Sequence, residues 1–270
     1  MNDRNRHGEP LAFAWDGALD RRARFGLIAR AVAARIASLS ARWRRCEGVA
    51  DTAVDRLDPD AIAIPDSIAA ARAVEHAQAL SEPWLFHHCL RTYAWSALLA
   101  QSDRVRYDRE LLFVASALHD LGLTDAHAGH APDCACFAIE GARAAHRFAS
   151  DTIGWERERC DRLADAIALH LNVSVAAEHG PEAHLLNAGA AFDVVGLRMR
   201  EIAATARADV LSRYPRLQFS TRMAAAMKTQ AIARPHSRAA ALVGLGFPGM
   251  IRSNPLESRA NGEDDAEGMP

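Results

Sequence analysis

Lysine is almost absent from this chain. Of 32 lysine and arginine residues among 270, only Lys228 is a lysine. Chemistry that needs an amine nucleophile, Schiff-base formation above all, therefore has a single candidate and is not expected. Cysteine is scarce and odd in number. Cys46, Cys89, Cys134, Cys136 and Cys160 show no paired spacing, which argues for reduced thiols and against a disulfide framework. Aromatic residues make up 6% of the sequence, β-branched residues are few, and no period-two alternation lasts the length of a strand, so a β-sheet is not expected. No uninterrupted apolar run approaches the roughly eighteen residues of a membrane span. The opening segment MNDRNRHGEP is polar, with no apolar stretch behind it; the expectation is a soluble, cytoplasmic protein with no transmembrane segment. A formal net charge of -2 gives no electrostatic reason to expect nucleic acid or an anionic membrane as partner.

What remains is a helix-forming sequence. Half of the residues are apolar, enough for a sizeable core, and alanine, leucine and arginine dominate, so an all-α fold is expected. Residues 1–60 read as an arginine-rich helical extension: a frayed start to about residue 15, then a helix over about 19–46. Phe25, Ile28, Val32, Ile36, Leu39 and Trp43 form its apolar stripe, with arginine on the other face. It is read as docked on its own domain in preference to a membrane surface or an acidic partner. DPDAIAIPDS is a linker in which Asp66 or Ser67 can cap the next helix. Helical patterns follow through residues 61–250, among them 83–100, 108–121, 137–150, 156–171 and 181–205. Gly122 is read as a helix stop. Residues 251–270 lack apolar periodicity and read as a disordered tail.

Several of these helices carry an ionisable residue on the apolar stripe. His88 shares a face with Leu85, Thr92, Trp95 and Leu99; His119 with Leu112 and Ala115; His170 with Leu163 and Ile167; Asp193 with Leu186, Ala190 and Leu197. Asp120 lies about 100° around from His119, close enough for both to reach one point beyond the helix end. One core histidine is readily satisfied by a carbonyl, and a buried aspartate must be paired or hold a metal. Four helices that each place such a group on the buried face bring them together in a bundle. Imidazoles and carboxylates gathered in this way suit a divalent ion: zinc first, with iron, manganese or nickel as alternatives.

The order of histidine, histidine-aspartate and distant aspartate resembles the HD-domain superfamily of metal-dependent hydrolases. PWLFHHCLRTYAW, SALHDLGLT, FAIEGARAAHRFA, AIALHLN and AGAAFDVVGLR are similar to its cyanamide hydratase-like branch. The likeness covers about residues 62–250 and implies an HD-domain helical bundle over 61–250. It assigns His88, His119, Asp120 and Asp193 to one metal ion. His88 is preferred to His87 because it holds the second place of the family's LFNHS segment, here LFHHC; His87 and Cys89 depart from the asparagine and serine usual there. Phe137 stands where dinuclear members carry a further histidine, so a mononuclear site is implied. Asp120 and His170 are the catalytic candidates, with His170 as base or substrate contact. The implied activity is hydration of a small nitrile-type molecule such as cyanamide by metal-bound hydroxide.

The first alternative is a metal-dependent phosphohydrolase acting on a nucleotide or small phosphoester, although no G-x-x-x-x-G-K-[ST] loop occurs. The second is a noncatalytic regulatory metal-binding module. The expected partners are a small-molecule substrate and, in a homo-oligomer, further copies of the chain. Arg91 is read as structural, within reach of Glu140 or Asp193, and His146 as a packing or surface residue. The loop TDAHAGHAPDCACF is read as a lid, with Cys134 and Cys136 as packing residues.

Overall fold

In the computed structural model, residues 10–44, 59–127 and 136–257 are described, and no strand occurs among them. The expected all-α fold is observed. Among the described residues, twelve α-helices run α1 (Leu11–Ala14), α2 (Arg21–Arg44), α3 (Ile68–Leu80), α4 (Pro83–Asp103), α5 (Arg109–Leu118), α6 (Phe137–Phe148), α7 (Arg157–Leu169), α8 (Pro181–Val195), α9 (Ala204–Arg213), α10 (Phe219–Ala233), α11 (Arg238–Gly244) and α12 (Phe247–Arg252). No helix of the described residues is long and apolar enough to cross a membrane.

Local chemistry sets the starts of the central helices. Ser67 caps α3 by accepting from the Ala70 N–H, Pro83 occupies the first turn of α4, and the Asp108 carboxylate accepts from the Leu111 N–H at the start of α5. These helices pack because each presents a small or apolar face. α4, α5 and α8 meet pairwise, α7 joins them through α5 and α8, and α6 lies along α7. Trp95, Phe113, Phe137 and Phe192 are fully buried among them. At Gly189 on α8 an added Cβ would meet Ser96 Oγ at 2.1 Å and the Thr92 carbonyl oxygen at 2.5 Å, so the absent side chain lets α8 approach α4 closely. That approach brings Asp193 onto the same level as His88.

Several sequence expectations are corrected. Residues 181–205 are not one helix: α8 stops at Val195, where Gly196 is left-handed at φ 70° and reverses the chain. Gly122 is not among the residues with positive φ. Its role is space, because a Cβ there would meet the Phe137 carbonyl oxygen at 2.0 Å. The described part of the start is docked: Ala12 is fully buried, and the Leu11 N–H donates to Asp165 at 2.8 Å. On α2, Phe25 is 73% exposed, and the residue that packs down is Leu27, against Ala241 and Leu242. The side chains of Val32, Ile36, Leu39 and Trp43 lie outside the described residues. The tail does not begin at 251, since Asn254 and Leu256 are buried and Glu257 bonds Arg216. Residues 258–270 lie outside the described residues, as does most of the loop read as a lid, including Cys134.

Gly189→Ala is expected to lower stability by roughly 1–3 kcal/mol through overpacking between α4 and α8, measured by chemical denaturation. A change within about 0.5 kcal/mol would contradict the close approach.

Candidate metal centre

The polar groups on the apolar stripes converge. His88 comes from the second turn of α4, His119 caps the C-terminal end of α5, Asp120 follows it, and His170 caps the end of α7. All four are nearly excluded from solvent. His88 Nε2 lies 3.2 Å from His119 Nε2 and 3.4 Å from Asp120 Oδ2; His119 Nε2 lies 3.3 Å from the same oxygen. His170 Nε2 stands 3.5 Å from the other oxygen, Asp120 Oδ1. His88, His119 and Asp120 are thus a buried group able to hold a metal ion.

The hydrogen bonds behind the rings determine which nitrogen faces this point. His119 Nδ1 is 2.8 Å from the Ser116 carbonyl oxygen, His170 Nδ1 is 2.7 Å from that of Ile167, and His88 Nδ1 is 2.7 Å from Asp193 Oδ2. Each partner is an acceptor, so each Nδ1 carries the proton, and in the neutral ring each Nε2 turns a lone pair inward. If both rings are neutral, lone pairs 3.2 Å apart repel unless a proton or a metal cation lies between them.

Burial alone would raise the Asp120 carboxyl, but His119, His170 and His88 outweigh it and hold Asp120 well below the usual carboxylate range. Burial pushes His119 down to about 3, against the pull of Asp120 and with help from His170 and His88. Burial also disfavours the charged form of His88, yet hydrogen bonds to Asp120 and Asp193 prevail and raise it.

Asp193 stands apart from the expected ligand set. Its carboxylate accepts from Arg91 Nε and Nη2, each at 2.9 Å, from Trp95 Nε1 at 2.9 Å and from Arg216 Nη1 at 3.2 Å, besides bonding His88. Those bonds use the lone pairs a metal would need, and the contact reaches His88 at the nitrogen facing away from the centre. Asp193 therefore orients His88 from behind, as outer-shell carboxylates do for metal-binding histidines. The burial penalty on its charge is outweighed by Arg91, Arg216 and His88, which keep it well below its ordinary value.

Sequence reasoning missed three contributors. Arg216, in the short connection between α9 and α10, bridges Asp193 and Glu257; a connecting segment offers no periodicity to reveal it. Asn254 donates to the Asp193 carbonyl oxygen at 2.8 Å. Asn187 donates to the His170 and Asn172 carbonyl oxygens, each at 2.8 Å, and so fixes the end of α7. Arg91 takes Asp193, one of its two anticipated partners, while Glu140 pairs with Arg234. His146 pairs with Asp161 away from the centre, His87 bonds the Pro215 carbonyl, and Lys228 is exposed.

A cavity of about 240 Å³ opens beside the centre, lined by His88, His119, Asp120, His170 and Asn187 together with apolar residues of α8, α10 and α12. No family model matches the chain, and no curated protein matches it.

Asp193→Asn removes the charge that balances Arg91 and Arg216. It is expected to cost about 3–5 kcal/mol of stability and to weaken metal binding by roughly 10- to 100-fold. Denaturation and competitive chelator titration check the two effects; unchanged metal affinity would refute the orienting role.

Proposed function

We propose that the chain is a metal-dependent hydratase of the HD-domain, cyanamide hydratase-like kind, adding water to a nitrile-type substrate. The triangle of His88 Nε2, His119 Nε2 and Asp120 Oδ2, with edges of 3.2, 3.4 and 3.3 Å, carries the proposal. Ligands about 2.0–2.1 Å from a tetrahedral ion stand about 3.3 Å from one another, so the triangle fits one face of such a site, and zinc is the ion it favours. The charges fit as well. Arg91 and Arg216 are balanced by Asp193 and Glu257, leaving Asp120 to neutralise a cation held by the histidines.

A divalent ion supplies Lewis acidity here, drawing the pKa of a neighbouring water toward neutrality. His170 handles the proton. With Nδ1 tied to the Ile167 carbonyl, its Nε2 accepts a proton from the attacking water and returns it to the nitrile nitrogen. Asn187 holds the backbone at His170, which keeps the imidazole beside Asp120. Oxygen joins the nitrile carbon, both protons of water end in the product, and the product is an amide, or urea from cyanamide.

Phosphoester hydrolysis is the weaker reading. No arginine or lysine lines the cavity among the described residues, and the nearby Arg91 and Arg216 are engaged by Asp193, leaving no side-chain cation for phosphate oxygens. A noncatalytic role leaves both His170 and the cavity beside it without a purpose.

Elemental analysis of the purified full chain is expected to give about one zinc per molecule, with nitrile hydration and no hydrolysis of p-nitrophenyl phosphate. Two metals with phosphatase activity would overturn the reading, and metal without turnover of either substrate would favour the regulatory module. His119→Ala and Asp120→Ala are each expected to abolish metal retention while far-UV circular dichroism stays unchanged; full activity in either variant would remove these residues from the centre.

A further inference from the structure

The lining of the cavity is divided. Its polar groups, His88, His119, Asp120, His170, Asn172 and Asn187, all belong to α4, α7, α8 and the segments that follow α5 and α7. Facing them are apolar side chains from the second half of α8 and from the C-terminal helices, including Val194, Met223, Met227, Phe247 and Met250. Met223 and Met227 are buried one turn apart on α10, so their thioethers share one face. Phe137 adds a ring at the base of α6, 6.0 Å from the His170 ring.

Size and chemistry together restrict the occupant. An apolar protein cavity of about 150 Å³ holds benzene, so 240 Å³ takes about ten non-hydrogen atoms. Cyanamide fills only a small part of that volume and leaves the methionine and phenylalanine wall in contact with nothing. A charged substrate would meet no side-chain cation on the described lining and would lose its hydration without compensation. Methionine sulfur and phenylalanine rings are favourable neighbours for an aromatic group.

We propose that the substrate is a neutral arylalkyl or aryl nitrile, its ring held by Met223, Met227, Phe247 and Met250 and its nitrile directed to the centre formed by His88, His119, Asp120 and His170. The substrate class rests on the hydratase reading. The reaction is balanced by water alone: the nitrile carbon gains the oxygen, its nitrogen gains two hydrogens, and the primary amide leaves.

Isothermal titration calorimetry of the zinc-loaded full chain against phenylacetonitrile, acetonitrile, cyanamide and phenyl phosphate tests it. Burial of the ring is expected to make phenylacetonitrile bind on the order of a hundredfold more tightly than acetonitrile. Val194→Trp, or Ala191→Trp as a second filler of the same cavity, is expected to reduce phenylacetonitrile affinity at least about tenfold with zinc content unchanged. Equal affinity for the two nitriles, tighter binding of phenyl phosphate, or no effect of either tryptophan would overturn the proposal. Zinc measured in the same samples separates the two levels. Zinc retained and cyanamide hydrated without binding of phenylacetonitrile would sink the substrate class alone. Phenylacetonitrile bound to a chain that retains no zinc would uphold an aromatic occupant and sink the hydratase reading.

Discussion

Asp193 is a carboxylate with no solvent exposure, placed on α8 one turn beyond Gly189, where α8 lies close against α4. It accepts from Arg91 and Trp95 on α4 and from Arg216 before α10, bonds His88 on α4, and its backbone carbonyl accepts from Asn254 beyond α12. Burying so many polar groups is costly in isolation, and only complete pairing makes it tolerable. Complete pairing also demands one geometry. The arginine forks, the indole and the imidazole must arrive together, and this determines how α4 meets α8 and how the C-terminal segment folds back. The inward lone pair of His88 is a consequence of that network.

The centre therefore rests on two kinds of support. His88 is oriented by a charged partner from another helix, whereas His119 and His170 are oriented by carbonyls three residues earlier in their own helices. Both are placed where a helix ends, and there the side chain bends back onto a carbonyl of the last turn. A helix terminus thus supplies the acceptor that fixes the tautomer of each imidazole, without any further residue. Gly122 and Gly141 then let α6 press against the turn that follows Asp120, which closes the base of the site.

Much of this was legible in the sequence. The helical stripes identify His88, His119, His170 and Asp193 as inward-facing, and the structure buries all four. The role of Asp193 was not legible, because a stripe says only that a side chain points inward, and two buried carboxylates look alike until their partners are seen. Those partners include Arg216 and Asn254, which lie in connections that carry no period. The break after Val195 was hidden because the apolar pattern runs on past Gly196. On α2, the stripe misplaced Phe25, which is exposed, while Leu27 and Ala31 point toward α11 and the cavity, since the available surface and not the strongest stripe decides which side docks.

X-ray absorption spectroscopy at the zinc edge on the metal-loaded full chain separates the groups that would ligate the ion from the group that supports them. A first shell of nitrogen and oxygen at about 2.0–2.1 Å containing at least two imidazoles is expected, and the same shell in Asp193→Asn, because the native carboxylate bonds His88 only at the nitrogen facing away from the centre. Loss of an oxygen ligand in that variant, or a shell without imidazole, would contradict this arrangement.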